Sequence, residues 1–209
     1  MVVKNKIEKE RVIVYVDGFN LYFGIKTTYP SLKWLNLNML AQNLLKEHQI
    51  LIDIKYYTAM ISNNHSKVKR QVSYIDVLKH CGVKVILGQY KSKTQVCRSC
   101  EVKFKIFEEK MTDVNISVDL LMDAVDDNYD TAILISGDTD LIPPLKIIKK
   151  RFDTKKILAI FPPQRANKAV KKEVYASFTL GRKLLLDSQF ENAITLSNGT
   201  QITKPKEWT

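Results

Sequence analysis

Val12-Ile13-Val14-Tyr15-Val16-Asp17-Gly18-Phe19-Asn20 passes without a break from apolar residues into a carboxylate. A continuous apolar run rich in β-branched residues predicts a strand buried on both faces of a parallel sheet. A second stretch repeats the form: Thr131-Ala132-Ile133-Leu134-Ile135-Ser136-Gly137-Asp138-Thr139-Asp140. Ligands of such sheets bind beyond the carboxyl ends of the strands, where the strand order reverses. If these two strands are neighbours there, their aspartates converge. Converging carboxylates repel one another unless a cation lies between them, and hard divalent cations prefer carboxylate oxygen. The two stretches together predict metal-assisted chemistry on a phosphate.

The rest of the chain alternates strand and helix signals. A helix is expected from Asn20 through Leu21, Tyr22 and Ile25, and another over Leu37–Leu45. Ile50–Met60 reads as a strand, followed by a helix through Val72, Ile75 and Leu78 and a strand over Val83–Tyr90. Lys91–Glu109 interrupts the alternation as a β-hairpin excursion. Met111–Asp127 reads as a helix with Val114, Val118, Leu121 and Val125 on one face, and with Asp123, Asp126 and Asp127 towards solvent. A helix over Leu141–Arg151, a strand over Lys156–Phe161 and a short helix over Lys168–Tyr175 complete the pattern. Strands alternating with helices predict βαβ units, an α/β class and a mainly parallel sheet. The expected division is an extension over 1–10, one domain over 11–186 and a tail over 187–209.

A length of 209 residues and 45% hydrophobic content suit one sizeable core. No apolar run approaches the roughly 18–20 residues that cross a bilayer. The polar start lacks the apolar centre of a signal peptide, so a cytoplasmic location and no membrane partner are expected. With seven glycines and no glycine-rich phosphate loop, a dinucleotide-binding fingerprint is excluded. His48, His65 and His80 bear no relation to a serine or cysteine nucleophile, which disfavours a triad hydrolase.

The net charge is +11, and its distribution is informative. Glu108–Asp140 holds ten acids and one basic residue, Lys110, whereas Ile142–Lys172 holds ten basic residues and one acid, Asp153. Such a pairing suits a metal site beside a polyanion-binding surface, although a solvated lysine-rich face produces the same count. Lys67, Lys69, Arg70, Lys110, Lys146, Lys149, Lys150, Arg165 and Lys168 are the candidate contacts to a nucleic-acid backbone.

Asp17, Asp138, Asp140 and Asp113 are the candidate metal ligands, with Asn20 placed to orient a water, a ligand or a phosphate. Each has a plainer reading: Asp113 and Asp138 as helix caps, and Asp17-Gly18 as a turn. Asp119 follows Asp113 by six residues, about 240° around a regular helix, so the two cannot point the same way within one. Cys97 and Cys100 form half of a structural zinc site. With the other ligands not evident, a reduced pair in a hairpin turn is favoured over a zinc site, including one shared across a homodimer.

Val-Tyr-Val-Asp17-Gly-Phe-Asn20-Leu-Tyr, Glu-Lys110-Met-Thr-Asp113-Val, the following Asp119 and Leu-Ile-Ser136-Gly-Asp138-Thr-Asp140 resemble the NYN domain. The nearest likeness is to the LabA-like branch of the PIN-like nuclease superfamily, over about Arg11 to Phe178. The CxxC ahead of Glu109-Lys110 and the Lys204-Pro205-Lys206-Glu207-Trp208 ending also look like that branch. The resemblance implies a three-layer α/β/α sandwich, an acidic pocket holding one or two Mg²⁺ or Mn²⁺ ions, and hydrolysis of RNA. Asp17, Asp113, Asp138 and Asp140 would be the metal-binding acids, supported by Asn20 and Asp119. The expectation is a metal-dependent endoribonuclease. A non-catalytic RNA-binding module and a DNA structure-specific nuclease are the alternatives. A haloacid-dehalogenase phosphatase is disfavoured, because it needs a second aspartate where Phe19 stands.

Overall fold

The computed structural model describes residues 9–62 and 64–209, so most of the extension expected over 1–10 lies outside the described residues. Its elements begin with β1 (Glu10–Asp17), α1 (Gly18–Thr28), α2 (Leu37–Leu44), β2 (Gln49–Thr58), α3 (His65–His80) and β3 (Lys84–Leu87). An antiparallel hairpin of β4 (Gln89–Val96) and β5 (Lys103–Lys110) follows. Next come α4 (Thr112–Val125), β6 (Thr131–Ile135), α5 (Ile142–Arg151), β7 (Lys156–Phe161), α6 (Lys168–Glu173) and β8 (Ala176–Thr179). The chain ends with α7 (Arg182–Leu186) and a short antiparallel pair, β9 (Ala193–Thr195) and β10 (Gln201–Thr203).

Six strands form one parallel sheet in the order β3-β2-β1-β6-β7-β8. The unbroken apolar character of β1 follows from its central place. Val12, Val14 and Val16 pack on one side with Leu21, Leu40 and Leu78 from α1, α2 and α3. Ile13 and Tyr15 pack on the other with Ile116, Leu120 and Leu145 from α4 and α5. Helices therefore cover both faces of the mainly parallel sheet expected from the strand–helix alternation, which gives the three-layer sandwich that the resemblance implied. Fully burying one such side chain contributes roughly 1.5–3 kcal/mol.

The structure departs from the sequence reading in four places. The strand expected over Val83–Tyr90 divides at Gly88. β3 ends at Leu87, the Gly88 N–H donates to the Thr58 carbonyl (2.8 Å), and Gln89 already belongs to the hairpin. A Cβ at Gly88 would lie 2.6 Å from the Lys110 carbonyl, so only glycine lets the two ends of the hairpin cross so closely. A sixth parallel strand, β8, has no counterpart in the sequence pattern. It is a short, largely exposed edge strand, Ala-Ser-Phe-Thr, without an apolar run. In α4, Val114, Val118 and Val125 face solvent, at 61%, 51% and 60% exposure. The helix buries Ile116, Leu120, Ala124 and Asp123 instead.

Asp123 is thus corrected from the solvated face to the interior. It accepts hydrogen bonds from the Tyr15 hydroxyl (2.5 Å), the Lys55 ammonium (2.6 Å) and the Asn128 amide (3.0 Å). Buried charge is tolerated when it is paired and hydrogen-bonded in this way. The segment after α7 packs into the core on the α1–α3 face of the sheet. Its Trp208 ring packs 5.9 Å from Trp34 and 5.7 Å from Tyr74 between ring centres.

Candidate metal centre

β1 and β6 pair in parallel with Val16 opposite Ile135, so Asp17 and Ser136 emerge at the same level. Asp17 is the last residue of β1 and the N-cap of α1. Its Oδ1 accepts the Asn20 N–H (3.0 Å), and its Oδ2 accepts the Ser136 hydroxyl (2.8 Å). Ser136 Oγ in turn accepts the Asp138 N–H (3.1 Å). Asp138 caps the 3₁₀ turn Thr139–Leu141 by accepting the Asp140 N–H (2.9 Å). Asn20 Oδ1 accepts the Gly137 N–H (3.2 Å), which ties the start of α1 to the loop after β6. α4 supplies the third acid. The chain turns through a left-handed Met111 (φ 74°), the helix begins at Thr112, and Asp113 lies in its first turn rather than at its cap.

These local structures bring carboxylate oxygens of Asp17, Asp113 and Asp138 within 4.8 Å of one another. Asp17 is only 4% exposed. Burial pushes its carboxyl up to about 6. The hydrogen bonds from Asn20 and Ser136 oppose that rise, and the charges of Asp113 and Asp138 add to it. Burial also raises the Asp113 carboxyl, followed by the charges of Asp138 and Asp140. α1, α4 and the turn before α5 all start at this pocket. Their positive ends offset part of the repulsion. The rise at Asp17 reflects first its burial and then the neighbouring acids, so its charged form lacks compensating positive charge. A cluster of oxygen donors with one buried and two half-buried members, short of positive charge, fits a hard divalent ion.

Glu109 is a fourth acid at this place, one that the sequence reading missed. Its Oε1 accepts the Thr112 hydroxyl (2.6 Å). Burial drives its carboxyl up to about 7 against that bond, and the charges of Asp17 and Asp113 raise it further. The signal in the sequence was position alone, four residues before Asp113 in the acidic block. The left-handed turn at Met111 that folds it back was not visible.

The other candidates lie at varied distances from the cluster. Asp140 is exposed and outside the converging three, though its charge reaches Asp113. Asp119 accepts a hydrogen bond from the Tyr57 hydroxyl (2.7 Å) and sits 3.9 Å from the Lys55 ammonium. Arg165 is adjacent to the site, for its backbone carbonyl presses on Gly137 too closely to admit a Cβ there. Lys67 and Arg70, on α3, line a cavity beside the acids. Lys110 pairs with Glu108 (2.9 Å), and Lys149 lies 3.7 Å from Glu173. Lys69, Lys146, Lys150 and Lys168 are on exposed faces of α3, α5 and α6. Cys97 and Cys100 are free thiols at the hairpin tip, where the Cys97 N–H donates to the Val102 carbonyl (2.9 Å). Among the described residues no third ligand joins them.

The profile of the NYN domain matches residues 11–180, from β1 to just past β8. The chain belongs to the NYN domain family. The family match spans every strand of the parallel sheet and all of the acids above. Among curated proteins, the chain is similar to a 6-hydroxy-3-succinoylpyridine 3-monooxygenase from Pseudomonas putida, 26% identical over 82% of this chain. The match spans 66% of that longer protein's length. Among solved structures, it is similar to a protein of unknown function from Vibrio parahaemolyticus. That likeness has a TM-score of 0.60 and 22% identity, and covers 88% of this chain and 98% of the other, which supports the shared fold. No helix among the described residues is long and apolar enough to cross a membrane.

Proposed function

We propose that this NYN domain protein is a metal-dependent endoribonuclease. The observation that carries the proposal is the convergence of Asp17, Asp113 and Asp138 at the carboxyl ends of β1 and β6, beside a cavity lined by Lys67 and Arg70. These three would hold Mg²⁺ or Mn²⁺, one ion or two, with Asp140 completing the shell or positioning the water. When bound, the metal supplies Lewis-acid stabilisation of phosphate charge and a lowered pKa for water. The chain's own residues perform the rest. Asn20 and Ser136 fix the Asp17 carboxylate and the loop that carries Asp138. Glu109, with its carboxyl near neutrality, is suited to hold or accept a proton at the rim. Lys67, Lys69, Arg70, Lys110, Arg165 and the α5–α6 lysines would hold the substrate backbone by charge. Asp119 would act at a remove, through Tyr57 and Lys55.

The test incubates labelled single-stranded RNA with the protein and Mn²⁺, beside the Asp17→Asn/Asp138→Asn double variant and with DNA competitor. Cleavage by the native protein alone supports the assignment, and equal cleavage by both overturns it. A second reading is chemistry on a small heteroaromatic acid. It is favoured by an aromatic cavity with a cationic rim beside the acids, together with the name of the Pseudomonas relative. Turnover of a hydroxypyridine without RNA cleavage would support it.

A further inference from the structure

A cavity of about 170 Å³ opens at the carboxyl ends of β1 and β2. It begins at Gly18, the residue after Asp17, so it adjoins the acidic cluster. Phe19, Tyr22, Tyr90 and Trp208 supply aromatic walls. An apolar cavity of roughly 150 Å³ admits a benzene ring, so this one has room for a single planar ring. The opening carries Lys26, Lys33, Lys67 and Arg70. One acid, Glu207, faces them through an ion pair with Arg70, and its backbone carbonyl accepts from the Lys33 ammonium (3.2 Å). Four cations against Glu207 leave this rim positive, while Asp17 and Glu109 act on the cavity through Tyr56. The crowding is felt, since burial first and then Arg70 and Lys26 pull the Lys33 ammonium down. Aromatic walls beneath an unbalanced cationic rim are complementary to a planar ring bearing an anion. Base stacking on aromatic side chains tolerates any base, because every base has a π-face.

We infer that this cavity is a nucleotide subsite: it takes one unstacked nucleobase, with the attached phosphate held by Lys33, Lys67 and Arg70. This rests on the ribonuclease reading, because the adjoining acids are where the next phosphodiester would lie. The subsite would anchor the strand one nucleotide from the reacting bond and select single-stranded RNA, whose bases are free to leave the stack.

The experiment uses the full chain without divalent metal and reads binding alone. Trp208 lines the cavity and Trp34 packs against it, so tryptophan fluorescence reports occupancy. The four nucleoside 5′-monophosphates, ribose 5-phosphate and nicotinate are titrated in turn. At least one nucleotide should quench saturably, with ribose 5-phosphate at least tenfold weaker. Lys67→Ala, at an exposed position, and Arg70→Gln should each weaken the nucleotide about tenfold while the thermal melt of Lys67→Ala is unchanged. The assignment is overturned if no nucleotide quenches, if ribose 5-phosphate matches it, if neither variant changes its affinity, or if nicotinate binds more tightly. Nucleotide binding without RNA cleavage would sink the ribonuclease reading and leave the subsite. Cleavage without nucleotide binding would do the reverse.

Discussion

Replacing Asp17 with asparagine should stabilise the fold while removing the metal site. An aspartate carboxyl has an ordinary value of 3.8, and in the folded protein Asp17 is pushed up to about 6. The folded state therefore binds the proton more tightly than the unfolded chain. Below the ordinary value both states are protonated and Asp17 has no effect. Stability falls as pH rises between the two values, and above about 6 the loss is complete. At about 1.36 kcal/mol per pH unit, the gap is worth about 3 kcal/mol at pH 8. The substituted asparagine would keep the oxygen that accepts the Asn20 N–H, and its amide would donate to Ser136 Oγ once that hydroxyl rotates. Allowing for that adjustment, Asp17→Asn should gain about 2–3 kcal/mol at pH 8, or roughly 4–12 °C in a chain of this size. Differential scanning calorimetry at pH 8, 6 and 4 without metal measures it. The gain should shrink on acidification and vanish near pH 4. Mn²⁺ at 1,000 times its Kd should reverse the ranking, since it then adds about 4.1 kcal/mol to the native protein only. A variant no more stable than the native protein at pH 8, or a gain that persists unchanged at pH 4, would refute the electrostatic account of the site.

Four further outcomes follow from the same geometry. Below about pH 7, binding of Mn²⁺ competes with the proton on Asp17 and with that on neighbouring Glu109, whose carboxyls rise to about 6 and about 7. Its affinity should fall as pH drops from 8 to 5, and titration calorimetry in buffers of different ionisation enthalpy should register proton release. Gly137→Ala should cost about 1–3 kcal/mol in urea unfolding and weaken metal binding, because the Arg165 main chain must move aside to admit the methyl group. Asp123→Ala leaves the Lys55 ammonium with Asp119, at 3.9 Å, as its nearby acid and the Tyr15 hydroxyl without its acceptor, and should cost about 3 kcal/mol in urea unfolding. Substituting Lys146, Lys149 and Lys150 with glutamine should lower the slope of log affinity for single-stranded RNA against log salt by about 0.7 for each phosphate no longer neutralised.

Asp17 and Asp138 were legible because each ends an apolar run, and the pairing of β1 with β6 does the rest. Capping is the plain alternative to a functional role for Asp138, yet Asp17 and Asp138 both cap the turn that follows and converge on one point. The cap is the device that aims each carboxylate. Helix arithmetic separates Asp119 from Asp113, and Asp119 bonds to Tyr57 outside the converging cluster. Glu109 was hidden because its direction depends on one positive φ at Met111, a backbone state that a methionine codon does not announce. Asp123 was hidden because its partners Tyr15 and Lys55 lie 108 and 68 positions away. The edge strand β8 has no pattern of its own and exists because β7 offers it a free edge.

The acids that meet in the pocket are far apart along the chain, with Asp17 and Ser136 bonded across 119 positions. A chain that leaves the ribosome N-terminus first carries Asp17 fully hydrated until β6 has emerged and docked beside β1. Pairing at such separation is slow, because loop closure must precede any contact. The repulsion among the acids is expected to act once the pocket has closed, on the native side of the folding barrier. Its kinetic signature should be a faster rate of escape from the native state, with the rate of folding hardly altered. In this fold the charge cluster should limit how long the native state lasts rather than how quickly it forms, and a bound cation would lengthen that lifetime.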